Sequence, residues 1–315
     1  DMKIVFFGSG KFGLPTLKKL IGSEHELLAV VTQPDRKKGR GWSVLPTPVN
    51  AFVEQAVPAV DVFQPEKAAD KEFLAALKSK EADVFVVVDY GEFLSRDLLG
   101  LPGKLCINLH PSLLPKYRGA APVNWAIING EEETGNTVIE LVEKMDAGGM
   151  IVQEKTTIKE EETAVELAER LSQSGGDLVL KALEIIGSGE TRFTPQDENA
   201  VSFAPKLEKK HGLIEWKRSA PEVVRKVRGV QPWPGAFTYL EGKMLKILKA
   251  KEVAPPGQDG EPGSIVDEKG FIVKAGEGAV QVEEVQLEGK KAMSREGFLR
   301  GHRLERNTVL NEDRN

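Results

Sequence analysis

Along the first half of the chain, short apolar runs alternate with amphipathic stretches. Lys3 to Phe7, Leu27 to Val31, Val84 to Val88 and Leu105 to Leu109 read as strands. Two of these runs are nearly continuous in β-branched residues, as expected of central strands buried on both faces. Between the runs, Phe12 to Ile21, Val49 to Gln55 and Glu66 to Lys80 place apolar residues at helical spacing. Strand–helix–strand alternation of this kind predicts a mainly parallel sheet. A Pro/Gly-rich loop follows Asn108, and then a helix is expected over Val123 to Ile128. Thr137 to Val142 and Ile151 to Ile158 read as strands around Lys144-Met145-Asp146-Ala147-Gly148-Gly149. Thr163 and Glu166 form a capping box that opens a long helix ending near Ile186.

The style of the sequence then changes. From Gly187 to Pro205 it is rich in Gly, Pro, Thr and Asn and reads as a connection. Ser219-Ala220-Pro221-Glu222 is a helix start, with Ser219 as N-cap and Glu222 at the third helical position. Short strands follow at Phe237 to Leu240, Met244 to Ala250, Ser264 to Val266, Phe271 to Lys274 and Ala279 to Leu287. Glu241-Gly242 provides a hairpin turn between the first two. The expected architecture is α/β: a Rossmann-like, mainly parallel sheet domain over 1–189, a linker over 190–206, and a small OB-like β-barrel over 207–315.

Composition narrows the class. The 315 residues are 40% hydrophobic and 29% charged, as in ordinary globular domains. No run of 18 apolar residues occurs, so no membrane span is expected. The first residues read as a strand rather than a leader, which points to a cytoplasmic protein. One cysteine, Cys106, excludes an internal disulfide and a multi-cysteine metal site. The net charge of −5 is unevenly spread: Ala204 to Lys251 holds twelve Lys/Arg against four Asp/Glu. Such asymmetry suggests contact with a polyanion; a solvated basic face explains it equally well.

Gly8-Ser9-Gly10-Lys11-Phe12-Gly13 fits the dinucleotide-binding G-x-G-x-x-G pattern between a strand and a helix. The second half of that fingerprint is missing. The second strand ends at Val31-Thr32-Gln33-Pro34 without an acid for a ribose, and Asp35 lies behind the proline. Glycines at such a turn also permit tight strand-to-helix packing, which is the reading preferred here.

The residues that carry chemistry stand at the end of the fourth strand. Asn108 and His110, two apart, point to the same side. They sit at the carboxyl edge, where open α/β sheets bind ligands. A buried amide and imidazole there need partners, so a functional pair is favoured over a structural one. Asp146, in a glycine-bearing loop, supplies the carboxylate that such a pair lacks.

The run from Cys106 to Pro122 resembles the folate-dependent formyltransferases, with Arg118-Gly119-Ala120-Ala121-Pro122 following the Ser112-Leu113-Leu114-Pro115 loop. So do Thr32-Gln33-Pro34-Asp35-Arg36, Val86-Val87-Val88-Asp89-Tyr90-Gly91, Met145-Asp146-Ala147-Gly148-Gly149-Met150, Ala204-Pro205-Lys206-Leu207 and Pro232-Trp233-Pro234-Gly235. The resemblance covers essentially the whole chain and is nearest to members whose acceptor is the α-amino group of methionine on initiator tRNA. It implies 10-formyltetrahydrofolate as donor, no metal, a catalytic trio of Asn108, His110 and Asp146, and a folate cradle of Ser112, Leu113, Leu114 and Pro115. It also implies a pterin border including Asp89, Tyr90, Gly91, Phe93 and Leu94. Asp89 and Glu92 depart from the commoner family versions of that segment.

For the tRNA side, Asp35 to Trp42 interleaves Arg36, Lys37, Lys38 and Arg40 with glycines and Trp42. It is expected as a loop whose cations meet phosphates and whose indole stacks on a base. The resemblance makes it the loop that enters the acceptor stem, with Arg40 its best-matched residue. Lys206, Lys209, Lys210, Arg225, Lys226 and Arg228 are further candidates for phosphate contact. On the helix after Ser219, the last three are expected to face outward, opposite Val223, Val224 and Val227. The chain is expected to act as a monomer. The alternatives are a formyltetrahydrofolate hydrolase or dehydrogenase module, a sugar-nucleotide formyltransferase, and a nucleotide-binding regulator using Gly8 to Gly13. The last leaves Asn108, His110 and the Ser112 to Pro115 loop unexplained.

Overall fold

The computed structural model describes residues 1–38, 43–255, 257 and 260–313. They form two compact units. Unit one comprises Asp1–Gly119, Glu133–Thr157 and Ala168–Ala204; unit two comprises Ala120–Glu132, Ile158–Leu167 and Pro205–Asn315. The stretch read as a linker is therefore packed into the first unit up to Ala204.

In chain order the elements are β1 (Lys3–Phe7), α1 (Leu14–Ile21), β2 (Glu26–Val31), β3 (Arg36–Lys38), β4 (Ser43–Leu45), α2 (Pro48–Ala56), β5 (Asp61–Phe63) and α3 (Lys71–Lys78). Then come β6 (Val84–Val87), α4 (Arg96–Leu99), β7 (Leu105–His110), α5 (Pro122–Ile128), β8 (Glu133–Glu140), β9 (Met150–Thr157) and α6 (Ala164–Gly187). The remainder are α7 (Ala220–Gly229), β10 (Ala236–Leu240), β11 (Lys243–Val253), β12 (Ile265–Asp267), β13 (Ile272–Lys274), β14 (Ala279–Leu287), β15 (Met293–Ser294) and α8 (Arg295–Gly301).

The first sheet runs β5-β2-β1-β6-β7-β8-β9. Its first five strands are parallel; β8 and β9 pair antiparallel at one edge. Alternation along the strands serves two cores. Ile4, Phe6, Val84, Val86, Ile107 and Leu109 pack on one face with Leu178, Val179 and Leu183 of α6. Val5, Phe7, Phe85, Val87 and Cys106 pack on the other with Phe73, Leu77 and Leu98. By that alternation Asn108 and His110 share the face of Cys106, at the carboxyl end of β7.

The structure differs from the sequence reading at several elements. The helix expected from Glu66 starts only after Asp70, whose carboxylate caps it by accepting from the backbone N–H groups of Glu72 and Phe73. The basic segment expected as a loop begins in strand β3, which pairs antiparallel with β4, Arg36 opposite Leu45 and Lys38 opposite Ser43.

In the second unit the strands run β10-β11-β14-β13-β12, all antiparallel, with β15 beside β14. The segment around Asn307 to Asn311 joins the two edges. Tyr239 of β10 bridges Asn311, and Ser264, beside β12, bridges Val309. The sheet thereby closes into a barrel around Leu245, Ile247, Phe271, Val280, Val282 and Phe298. The Ser219 capping box forms as expected: Glu222 Oε2 accepts from the Ser219 backbone N–H at 2.9 Å.

Candidate active site

His110 is buried, and both of its ring nitrogens face defined groups. Nε2 lies 2.8 Å from the carbonyl oxygen of Tyr117. A carbonyl can only accept, so Nε2 carries a proton and donates it. The neutral ring then presents the Nδ1 lone pair. That atom stands 3.7 Å from Asp146 Oδ2, too far for a direct hydrogen bond. Two acceptors facing one another across this gap form a place for a proton: an imidazolium at Nδ1 would meet a carboxylate. In the structure the Tyr117 carbonyl fixes the ring, and Tyr117 itself takes the left-handed φ of +63°.

Asp146 is held independently. It sits in the left-handed region at φ +50°, and its Oδ2 accepts the Gly119 backbone N–H at 2.8 Å. The Asn108 side chain is half-buried and has no hydrogen-bond partner among the described residues. Its amide is free to turn to a ligand at the strand end. Asn108 and His110 thus stand on one face at the carboxyl end of β7, as their spacing predicts, and the loop between β8 and β9 brings Asp146 to His110.

The loop after His110 is tied to β8 and β9. Thr137, opposite His110 in the β7–β8 register, donates its hydroxyl to Ser112 O at 2.6 Å. The Thr137 hydroxyl oxygen accepts from Leu114 N–H and from Gln153 Nε2, which also donates to Leu114 O. Ser112 and Leu114 are buried; the Ser112 hydroxyl donates inward to Lys116 O. These two build the loop, while Leu113 and Pro115 reach its surface. Thr137 and Gln153 were missed in the sequence because a strand Thr or Gln carries no local signal of what it will face.

The Asp89–Leu94 segment divides in the same way. Tyr90 and Leu94 turn into the core, Tyr90 edge-on to Phe7 with its hydroxyl buried and unpartnered, and burial pushes its phenol pKa upward. Phe93 is 65% exposed. Asp89 adopts φ +53° and Gly91 φ +87°. The Asp89 carboxylate folds onto the glycine turn, where it accepts the Phe12 backbone N–H; although the residue keeps an exposed side, the protein atoms crowded against its carboxyl desolvate it and raise its pKa to about 6. A methyl group at Gly10 would sit 1.7 Å from Asp89 Oδ2. An internal carboxylate therefore occupies the position where a dinucleotide phosphate would approach this turn, in agreement with the packing reading of Gly8 to Gly13.

The cationic candidates scatter. Arg36 is exposed, with Glu66 at 3.6 Å. The backbones of Lys37 and Lys38 lie in β3, and Arg40 and Trp42 fall outside the described residues. Lys206 and Lys209 are exposed, and Lys210 pairs with Glu208. On α7 the outward stripe is not observed. Lys226 donates to Leu213 O and pairs with Glu215; Arg228 donates to Glu162 O at 2.7 Å, and burial lowers its pKa. Arg225 is half-buried beside Gly130. The helix packs against α5 as well as the barrel, so only a narrow side remains open. Among the described residues no group of three His, Cys, Asp or Glu could hold a metal ion, and no helix is long and apolar enough to cross a membrane.

Together these features define an α/β unit that gathers an amide, an imidazole and a carboxylate at one sheet edge, followed in the chain by a small β-barrel unit. The chain belongs to the formyl transferase family: residues 2–183 match its formyl transferase domain and residues 206–303 its C-terminal domain. It is 42% identical over 313 residues to the methionyl-tRNA formyltransferase of Geobacter sulfurreducens, spanning 99% of this chain and 97% of that protein. It is 43% identical over 315 residues to that of Pelotomaculum thermopropionicum, spanning 99% of each. Among solved structures, the sugar 3N-formyl transferase WlaRD, in the presence of dTDP and 5-N-formyl-THF, shares the fold with a TM-score of 0.68 at 17% identity. The match covers 92% of this chain and 99% of that one.

Proposed function

We propose that this chain transfers a formyl group from 10-formyltetrahydrofolate to the α-amino group of methionine on initiator tRNA, as a monomeric cytoplasmic enzyme. The observation that carries the chemistry is the His110–Asp146 gap beside an unpartnered Asn108 amide. The neutral amine attacks the formyl carbon and a C–N bond forms. The Asn108 N–H donates to the resulting oxyanion, a contact worth about 3 kcal/mol in the transition state. The amine proton passes to His110 Nδ1, where the Asp146 carboxylate stabilises the imidazolium. Collapse breaks the bond from the formyl carbon to the folate nitrogen, and that nitrogen takes the proton back. The chain supplies hydrogen bonds and a proton site; the donor supplies the activated formyl group.

The fit of the folate rests on the same edge. The left-handed turns at Asp89 and Gly91 expose backbone beside the site, and Phe93, Leu113 and Pro115 offer apolar surface to a flat ring. Full-length similarity to the named relatives, together with the exposed Lys206 and Lys209, favours a tRNA acceptor over water or a sugar amine. The test is to follow folate release with water, a sugar-nucleotide amine, or methionyl initiator tRNA as acceptor. Acceleration by the charged tRNA is expected; equal rates with water would overturn the acceptor. Affinity for tRNA should fall steeply with salt, and a flat dependence would remove the proposed phosphate contacts.

A further inference from the structure

The Thr194–Ala204 stretch reads as a connection in the sequence, yet it grips the loop that carries Asp146 at several points. Thr194 and Met150 exchange two backbone hydrogen bonds, each of 2.9 Å. Glu198 Oε2 meets Lys144 Nζ at 3.0 Å. Between these, the Gln196 side chain donates from Nε2 to Asp146 O at 2.7 Å and to Gly148 O at 2.9 Å. Its Oε1 accepts from Arg118 Nε at 3.0 Å. Arg118 is 1% exposed and its other arm pairs with Glu198 at 2.9 Å.

This arrangement has one consistent orientation. Two carbonyls can only accept and a guanidinium can only donate, so the Gln196 amide cannot flip without losing all three bonds. The backbone it holds needs holding: Asp146 is a non-glycine residue at φ +50°, a conformation kept only where surroundings enforce it. Gly148, the other carbonyl in the grip, is pressed against β8; a methyl group there would lie 1.8 Å from Glu140 O. The loop is thus seated on β8 on one side and clasped by Gln196 on the other. The partner of the Asp146 carboxylate, Gly119 N–H, follows Arg118 directly in sequence. One dipeptide therefore fixes both ends of the aspartate, the carboxylate through Gly119 and the backbone through Arg118 and Gln196.

We propose that Gln196 is a positioning residue of the formyl-transfer site, setting the Asp146 carboxylate at its distance from His110 Nδ1, with Arg118 as its buried strut. The inference rests on the proposed Asn108–His110–Asp146 trio and adds to it a residue from the stretch read as a linker. The Gln196 side chain bonds to Arg118 and to the Asp146 and Gly148 carbonyls, and makes no hydrogen bond to His110. Its influence runs through the Asp146 backbone, where a shift of about 1 Å is enough to cost on the order of a hundredfold in rate.

The test compares wild type, Gln196→Ala, Gln196→Glu, Asp146→Ala and the Gln196→Ala/Asp146→Ala double variant in the full chain. Formyl transfer is measured by single turnover with enzyme in excess, so slow variants stay readable, alongside steady-state KM for both substrates and thermal unfolding. Gln196→Glu is nearly isosteric and keeps the acceptor for Arg118, but turns an acceptor toward two carbonyls. Both Gln196 variants are expected to lose about tenfold or more in rate, with KM changed less than about threefold and Tm nearly unchanged. On the Asp146→Ala background, Gln196→Ala should cost less than about twofold, because the group it positions is gone. Wild-type rates in both Gln196 variants would overturn the proposal. So would a full additional loss on the Asp146→Ala background, or a fall in Tm with a matching rise in KM. A wild type that prefers another acceptor would revise the acceptor and leave the comparison of variants intact. Full activity in His110→Ala would instead sink the trio.

Discussion

Two aspartates in this molecule share a backbone conformation and do opposite things with it. Asp89 follows β6 at φ +53°, and Asp146 stands between β8 and β9 at φ +50°. Both are at the edge where β7 ends. Asp89 folds onto the glycine turn, accepts the Phe12 N–H and caps the short helical turn, Lys11–Gly13, that leads into α1. Asp146 accepts the Gly119 N–H with the same oxygen that faces His110. A left-handed turn aims a short carboxylate across a sheet edge; what it meets there decides whether the acid is structural or works on a proton. A backbone donor alone makes a cap. A backbone donor and an imidazole nitrogen 3.7 Å away make a proton site.

The largest effect that would break this contrast is loss of the charge at Asp146. Asn tolerates positive φ and can still accept from Gly119, so Asp146→Asn should fold with near wild-type Tm. It cannot stabilise an imidazolium, and formyl transfer should fall by about 10²- to 10⁴-fold, the range of general acid–base contributions. Single-turnover rates check this. A variant within about threefold of wild type would reduce Asp146 to the same capping role as Asp89.

The contrast also shows how far the sequence could be read. The parallel sheet, the barrel and the Asn108–His110 pair were legible, because alternation places strand residues and the strand end places the pair. Asp146 needed the family resemblance, since an aspartate in a glycine loop has the signature of a turn. Tyr117 was not legible at all: it acts through its carbonyl, which every residue has. Gln196 and Arg118 were hidden for a related reason. The stretch around Gln196 has the Gly, Pro and Thr content of a connection, and its order comes from one buried guanidinium more than seventy residues away in sequence. The α7 cations were misread because a helical stripe was taken to have one buried side, whereas this helix meets both the barrel and α5.

A smaller effect tests the capping half of the contrast. A methyl group at Gly10 overlaps Asp89 Oδ2, but that oxygen ends a side chain that can swing away. Gly10→Ala should therefore cost about 1–2 kcal/mol, the price of local overpacking plus the lost Phe12 contact. On an Asp89→Ala background the same substitution should cost less than half of that. Denaturant unfolding of the four proteins gives the coupling energy. Equal costs on both backgrounds would show that Gly10 serves the turn and not the carboxylate.

The smallest effect is the most diagnostic of what Asp89 faces. Its folded pKa is raised to about 6 by desolvation of the side packed on the glycine turn, above the usual carboxylate value near 4. The folded state thus holds this proton more tightly than the unfolded chain. The sign follows: the associated stability is fully present below pH 4 and is lost as pH rises through about 6. One side of Asp89 is open to solvent, and screening there reduces the effect to no more than about 1 kcal/mol. Asp89→Asn keeps the shape and removes the titration. Relative to wild type, the variant should gain stability between pH 4 and pH 7, amounting to at most about 4 °C in Tm at neutral pH. Thermal unfolding of both proteins across that window checks it. A constant difference would mean that Asp89 ionises as freely as a surface carboxylate, and the two aspartates would then differ in partner alone and not in environment.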